Sequence, residues 1–140
     1  MKLQKNTLIA LYSALEFAAQ PQSKLPAARI AFKYRVSAHH VAKVLRKLRR
    51  AGLLQAARGA GGGYRFAGNP KRVTLMDIVE VFEAIGARAP RAARGEAERA
   101  LAAVLAEIDQ IAIATFRSIT LDTMLKLVAQ ARRGPRGRAA

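Results

Sequence analysis

Cysteine is absent from all 140 residues, which excludes disulfides, thiolate zinc sites and cysteine-ligated iron–sulfur clusters within this polypeptide. Tryptophan is absent too, which disfavours reading unpaired bases by aromatic stacking. Charges interrupt every apolar stretch well before the roughly 18 residues that a membrane span needs. Residues 1–20 lack the continuous apolar run and small-residue cleavage site of a signal peptide. The chain is therefore expected to be soluble and cytoplasmic, with no membrane partner. Acidic residues are scarce as well, nine against twenty-five Lys and Arg.

That scarcity leaves a net charge of +16, whose self-repulsion is tolerable beside a polyanion such as nucleic acid or an anionic surface. The excess is concentrated. Residues 1–70 hold thirteen basic residues against Glu16 alone, leaving +12, whereas residues 71–140 hold twelve against eight, leaving +4.

Half of the residues are apolar, enough for one domain and an appended helix for self-association. Residues 7–19 place Leu8, Leu11, Tyr12 and Leu15 at helical spacing, with Asn6 or Thr7 as cap and Gln20-Pro21 as stop. Pro26 suits the first turn of a second helix over 26–34 with Ile30 and Ala31 facing inward. Ser37 caps a third helix that runs to Ala51 before Gly52 closes it. Val41, Val44, Leu45 and Leu48 form that helix's apolar stripe, and His39, His40, Lys43, Arg46, Lys47 and Arg50 cover the remaining surface.

Residues 53–58 and 64–68 read as two short strands joined by the GAGGG loop. Thr74 then caps a fourth helix that carries Asp77, Glu80 and Glu83 on its polar face. The Gly-, Pro- and Arg-rich stretch 87–95 reads as a linker. From Glu96 to about Thr115, Leu101, Val104, Leu105, Ile108 and Ile111 keep a helical rhythm over some five turns. Such a helix needs a partner surface, and a homodimer seam is expected there, with packing onto its own domain as the alternative. A last helix begins at Thr120 and ends near Ala131, before a basic tail, 132–140, expected to be disordered.

Three helices followed by a glycine-tipped hairpin give the order of a winged helix-turn-helix, a mainly α fold whose third helix enters the major groove of double-stranded DNA. The expected division is 1–86 for DNA binding, 87–95 as linker, and 96–131 as dimerisation helices. His39, His40 and Lys43, near the helix start, would meet base edges, and Arg46, Lys47, Arg49 and Arg50 phosphates. Arg58 and Arg65 flank the wing loop, where guanidinium groups suit a narrow minor groove. His39 and His40 could bind a metal only poorly, because neighbours on a helix diverge by about 100° and no third ligand is near. The glycine loop lacks the GK[ST] of a nucleotide-binding loop and precedes a strand. No nucleophile–base pair or carboxylate dyad suggests an enzyme.

The stretch LRKLRRAGLLQAARGAGGGYRFA (45–67) resembles the IscR-like (Rrf-two) bacterial transcriptional regulators, a family that includes iron–sulfur and nitric-oxide sensors. Supporting matches are Met1-Lys2-Leu3, Ile30-Ala31, Val36-Ser37, Leu75 with Asp77-Ile78-Val79 through Glu83, and Ile119-Thr120-Leu121. The resemblance covers about residues 1–130. It implies a homodimer on a partly palindromic promoter site, with Ser37 to Lys43 reading bases and Arg58, Gly59, Gly61, Gly62 and Arg65 in the wing contact. Cluster-binding members carry three cysteines where this chain has its Arg- and Ala-rich linker. The further ligand positions of related branches fall near Leu8 and Ala102. No iron–sulfur cofactor is therefore expected, and the effector is left open between a small molecule, a protein partner and none. The competing reading is a sequence-independent nucleic-acid binder associated with the nucleoid or ribosome.

Overall fold

In the computed structural model, residues 1–86 and 94–134 are described. The elements are α1 (Lys5–Ala19), α2 (Ala27–Tyr34), α3 (Ala38–Arg50), β1 (Leu54–Ala56), β2 (Tyr64–Phe66), α4 (Leu75–Phe82), α5 (Glu96–Ser118) and α6 (Leu121–Arg132). The winged helix-turn-helix order expected from the sequence is present. Most of the linker stretch 87–95 and residues 135–140 of the tail lie outside the described residues. Residues 132–134 complete and cap α6.

Local chemistry explains several boundaries. The hydroxyl of Thr74 accepts from the Asp77 amide at 3.3 Å, while the Asp77 carboxylate accepts from the Thr74 amide at 2.9 Å. That reciprocal capping box satisfies two orphan donors at the start of α4. Helix α3 ends in a Schellman motif: the Gly52 amide donates to the Arg49 carbonyl and the Leu53 amide to the Leu48 carbonyl. Gly52 sits at φ 82, where a side chain would be strained. At the end of α2 the same left-handed turn falls on Arg35, φ 54, the one non-glycine residue with positive φ among the described residues.

Helix α1 departs from expectation twice. It starts at Lys5 with Gln4 in the cap position and no side-chain cap, so neither Asn6 nor Thr7 plays that part. Glu83, from the chain just after α4, does the work instead, accepting from the Gln4 amide at 2.7 Å and from the buried Thr7 hydroxyl at 2.8 Å. The buried face is Ile9, Ala10, Ser13, Ala14, Phe17 and Ala18, while Leu8 and Tyr12 are 37% and 42% exposed. Small side chains let α1 approach α3, α4 and α6 closely, and the bulkier leucines lie on its flank.

Val41, Val44, Leu45 and Leu48 of α3 are all buried beside Phe17, Ile30, Ile78 and Leu121. Each large side chain fully withdrawn from water stabilises the fold by about 1.5–3 kcal/mol before entropy is counted. Leu121 is the surprise. Helix α6, grouped with α5 by the sequence reading, packs on α1, and Leu121 belongs to the same core as the first three helices. Backbone bonds fix it there: Leu75 N donates to Ile119 O and Leu121 N to Val73 O, both at 2.9 Å.

The sheet is antiparallel with Leu54 opposite Phe66, Gln55 opposite Arg65 and Ala56 opposite Tyr64. Leu25 adds a further rung, exchanging both backbone bonds with Tyr64 at 2.9 and 3.0 Å. A three-residue hairpin alone would be marginal. The wing is thus braced by the α1–α2 loop.

Candidate nucleic-acid interface

At about 100° per residue, His39, Lys43, Arg46, Lys47 and Arg50 fall within one arc of roughly 100° on α3. The buried stripe occupies the opposite side. All five are exposed, as is Arg49 on the flank. The only salt bridges among the described residues are Lys33–Glu16 and Lys126–Asp122, and neither lies on this face. The Lys47 ammonium lies over the Phe82 ring, 5.4 Å from its centroid, a cation–π contact that steadies the charge at the edge of this face. Asn6, His40, Lys43, Lys47 and Phe82 line a cavity of about 300 Å³ along the helix.

Two residues expected on the base-reading set are engaged elsewhere. The Ser37 hydroxyl caps α3, accepting from the His40 amide at 3.4 Å. The His40 imidazole turns toward α1, where its Nε2 meets the Asn6 side-chain oxygen, and it is half-buried. A contact 34 residues distant in sequence removed it from the exposed arc, and helical spacing alone could not show that.

Arg58 and Arg65 are exposed on the wing, together with Gly59, Gly61 and Gly62. Nothing lies within 4 Å of a Cβ built at Gly61 or Gly62, so backbone conformation rather than space calls for glycine there. Gly63, the last glycine of the GAGGG loop, is the tighter site. It has φ 118, and an added Cβ would stand 2.8 Å from the Leu25 carbonyl oxygen. The Lys24 ammonium donates to the Ala60 carbonyl at 2.8 Å, tying the wing tip to the loop before α2. Helix α3 and the wing thus present a connected basic surface on a braced support.

On α5, Leu101, Val104, Leu105, Ile108 and Ile111 remain 41–60% exposed, and Ile113 is the one buried residue of the helix. The intramolecular alternative, packing of this seam onto its own domain, is not what the fold adopts. None of the helices among the described residues is long and apolar enough to cross a membrane.

A family model described as "Rrf2: Iron-dependent Transcriptional regulator" matches residues 3–127. BadM of Rhodopseudomonas palustris, whose name places it among HTH-type transcriptional regulators, is 50% identical over the whole of this chain and 94% of its own length. The HTH-type transcriptional regulator NsrR of Shouchella clausii is 33% identical over 59% of this chain and 56% of its own. Among solved structures, CymR, the global cysteine regulator of B. subtilis, superposes with a TM-score of 0.78 at 24% identity, covering 91% of this chain and 98% of that one. IscR of T. potens gives 0.76 at 22% identity, covering 94% and 91%.

The chain has no thiolate, and among the described residues no group of three or more His, Cys, Asp or Glu could hold a metal ion. These donors do not fit an iron–sulfur cluster. The fold, the basic α3 and wing, and the match over residues 3–127 agree: this chain belongs to the Rrf2 family of DNA-binding transcriptional regulators.

Proposed function

We propose that the chain is a homodimeric repressor, acting in the cytoplasm, that binds a partly palindromic promoter site and works without a resident iron–sulfur cluster. The observation that carries this reading is the arc of His39, Lys43, Arg46, Lys47 and Arg50, exposed and, among the described residues, without carboxylate partners, opposite a fully buried stripe. His39 and Lys43, in the first turns of α3, face base edges; Arg46, Lys47 and Arg50 meet phosphates. Arg58 and Arg65 carry the wing to the minor groove, with Gly59, Gly61 and Gly62 allowing its backbone close approach. His40 and Ser37 set the position of α3 and contribute less to readout.

Dimerisation follows from α5. A stripe of five large apolar side chains left 41–60% exposed is costly in water, and a symmetric copy of the same stripe is a self-complementary cover. Two recognition helices would then meet half-sites about one helical turn apart.

Selection of genomic fragments with purified protein at near-physiological salt tests the reading. A two-fold-related motif, bound about 10³-fold or more tighter than random duplex, supports it. Transcription from that promoter in vitro should fall as protein is added. Featureless retention would instead favour a sequence-independent nucleic-acid binder. Replacing Leu105 and Ile108 together with charged residues should give monomers in sedimentation and abolish tight operator binding. A persisting dimer would place the seam elsewhere.

A further inference from the structure

Resting on the reading above, we propose that the cavity between α1, α2 and α6 is an effector site for a small amphipathic carboxylate, whose binding weakens operator affinity. The cavity measures about 530 Å³, within the roughly 300–1,000 Å³ of small-molecule sites, and lies apart from the basic arc of α3. Leu25 and Ile30, 5% and 2% exposed, form its floor. Leu15, Leu125 and Val128 are half-buried in its walls. An apolar body finds a surface there that inorganic phosphate could not use.

The charges around that surface select the head group. Arg29 and Lys33 of α2 and Arg132 of α6 line the cavity with Glu16 as its only acid. Lys33 and Tyr34 already occupy Glu16, the tyrosine hydroxyl donating at 2.6 Å. Arg29 and Arg132 have no carboxylate partner among the described residues, and segments 87–93 and 135–140 contain no Asp or Glu. The excess positive charge suits a carboxylate. Burial pushes the Glu16 carboxyl upward, yet its bonds to Lys33 and Tyr34 and the charges of Lys33 and Arg132 outweigh that and hold it below the usual value.

The position explains how occupancy would reach DNA. Helix α2 contributes Ile30 and Ala31 to the core under α3, and its last turn, closed by Val36 N donating to Ala31 O, leads directly to Ser37. Helix α6 continues from α5. An incoming carboxylate competes with Glu16 for Lys33, slackens the α1–α2 clasp and lets α2 shift beneath the recognition helix. By linkage, operator DNA must lower ligand affinity by the same factor that ligand lowers DNA affinity.

The test uses the full chain with 8-anilinonaphthalene-1-sulfonate as fluorescent probe, octanoate as competitor and octanol as its uncharged counterpart. The expected result is one saturable site per chain, displaced by octanoate and not by equal octanol. Val128→Phe, which pushes a ring into the cavity from its apolar wall, should weaken it markedly. Arg132→Gln should weaken octanoate about fivefold, the effect of one unit charge at ~4 Å in a water-like medium, and Arg132→Lys should restore it. All three variants should melt with the wild type by circular dichroism. Octanol competing equally, or undiminished binding in Val128→Phe, would overturn the site. Operator affinity unmoved by saturating octanoate would overturn its coupling to DNA. Failure to enrich any operator would remove the repressor reading while the fluorescence titration still decides whether the pocket binds carboxylates.

Discussion

Replacing Glu83 with Ala isolates the contact that joins the end of α4 to the start of α1. Its carboxylate accepts from the Gln4 amide at 2.7 Å and the Thr7 hydroxyl at 2.8 Å. The Gln4 amide is exposed and water can replace its partner, so that loss is small. Thr7 is fully buried, and a stranded hydroxyl there costs about 1–3 kcal/mol. Removing a negative charge from the N-terminus of α1 adds about 0.3–1 kcal/mol. The expected loss is about 2–3 kcal/mol, read as a lower urea midpoint with unchanged slope at fixed protein concentration. In a double-mutant cycle with Thr7→Val, the second substitution should recover at least ~1 kcal/mol, because no hydroxyl is then left unpaired. A Glu83→Ala protein within ~0.5 kcal/mol of wild type, or strict additivity in the cycle, would refute the reasoning.

Ser13 has a buried hydroxyl with no hydrogen-bond partner among the described residues, so Ser13→Ala should be neutral or stabilising by up to about 1 kcal/mol in the same denaturation assay. Gly63→Ala forces a Cβ to 2.8 Å from the Leu25 carbonyl at φ 118; a cost of about 1–3 kcal/mol and faster hydrogen exchange at Tyr64 and Leu25 are expected. The folded Glu16 carboxyl lies below its reference value of 4.5, so its stabilisation is present above that pH and fades as pH falls through the lower folded value. Glu16→Gln should therefore flatten the acid limb of the stability profile and leave the neutral region's slope unchanged. An unchanged acid limb would show that the clasp with Lys33 and Tyr34 does not discriminate between protonation states.

What could be read in advance follows from the range of each interaction. Helix α3, its Ser37 cap and its buried stripe are written in a period of 3.6 and one short polar side chain, all local. The capping box of Thr74 and Asp77 was legible only in half, since the cap was seen and its partner was not. Helix α1 misled in part: Leu11 and Leu15 pack against the core, but Leu8 and Tyr12 lie exposed while the small Ala10, Ser13, Ala14 and Ala18 join Ile9 and Phe17 on the buried face, where close approach favours small side chains. Leu25 bonding to Tyr64, His40 meeting Asn6 and Glu83 capping α1 join residues 34 to 79 apart. Nothing in either local stretch announces such a pair. The basic face was visible as a pattern; which members turn inward was decided by tertiary neighbours.

The stitching of residues 119–121 to residues 73–75 has a consequence for the promoter. Through the two backbone bonds there and the burial of Leu121, the C-terminal end of α5 is held to the body that carries α3. In a dimer closed through α5, the two reading heads resemble the jaws of a caliper with a fixed gap. Inserting one base pair between half-sites turns one of them about a tenth of a revolution away from its jaw. With little give at the joint, DNA must twist to compensate, so spacing would be conserved between target promoters even where the bases between half-sites are not.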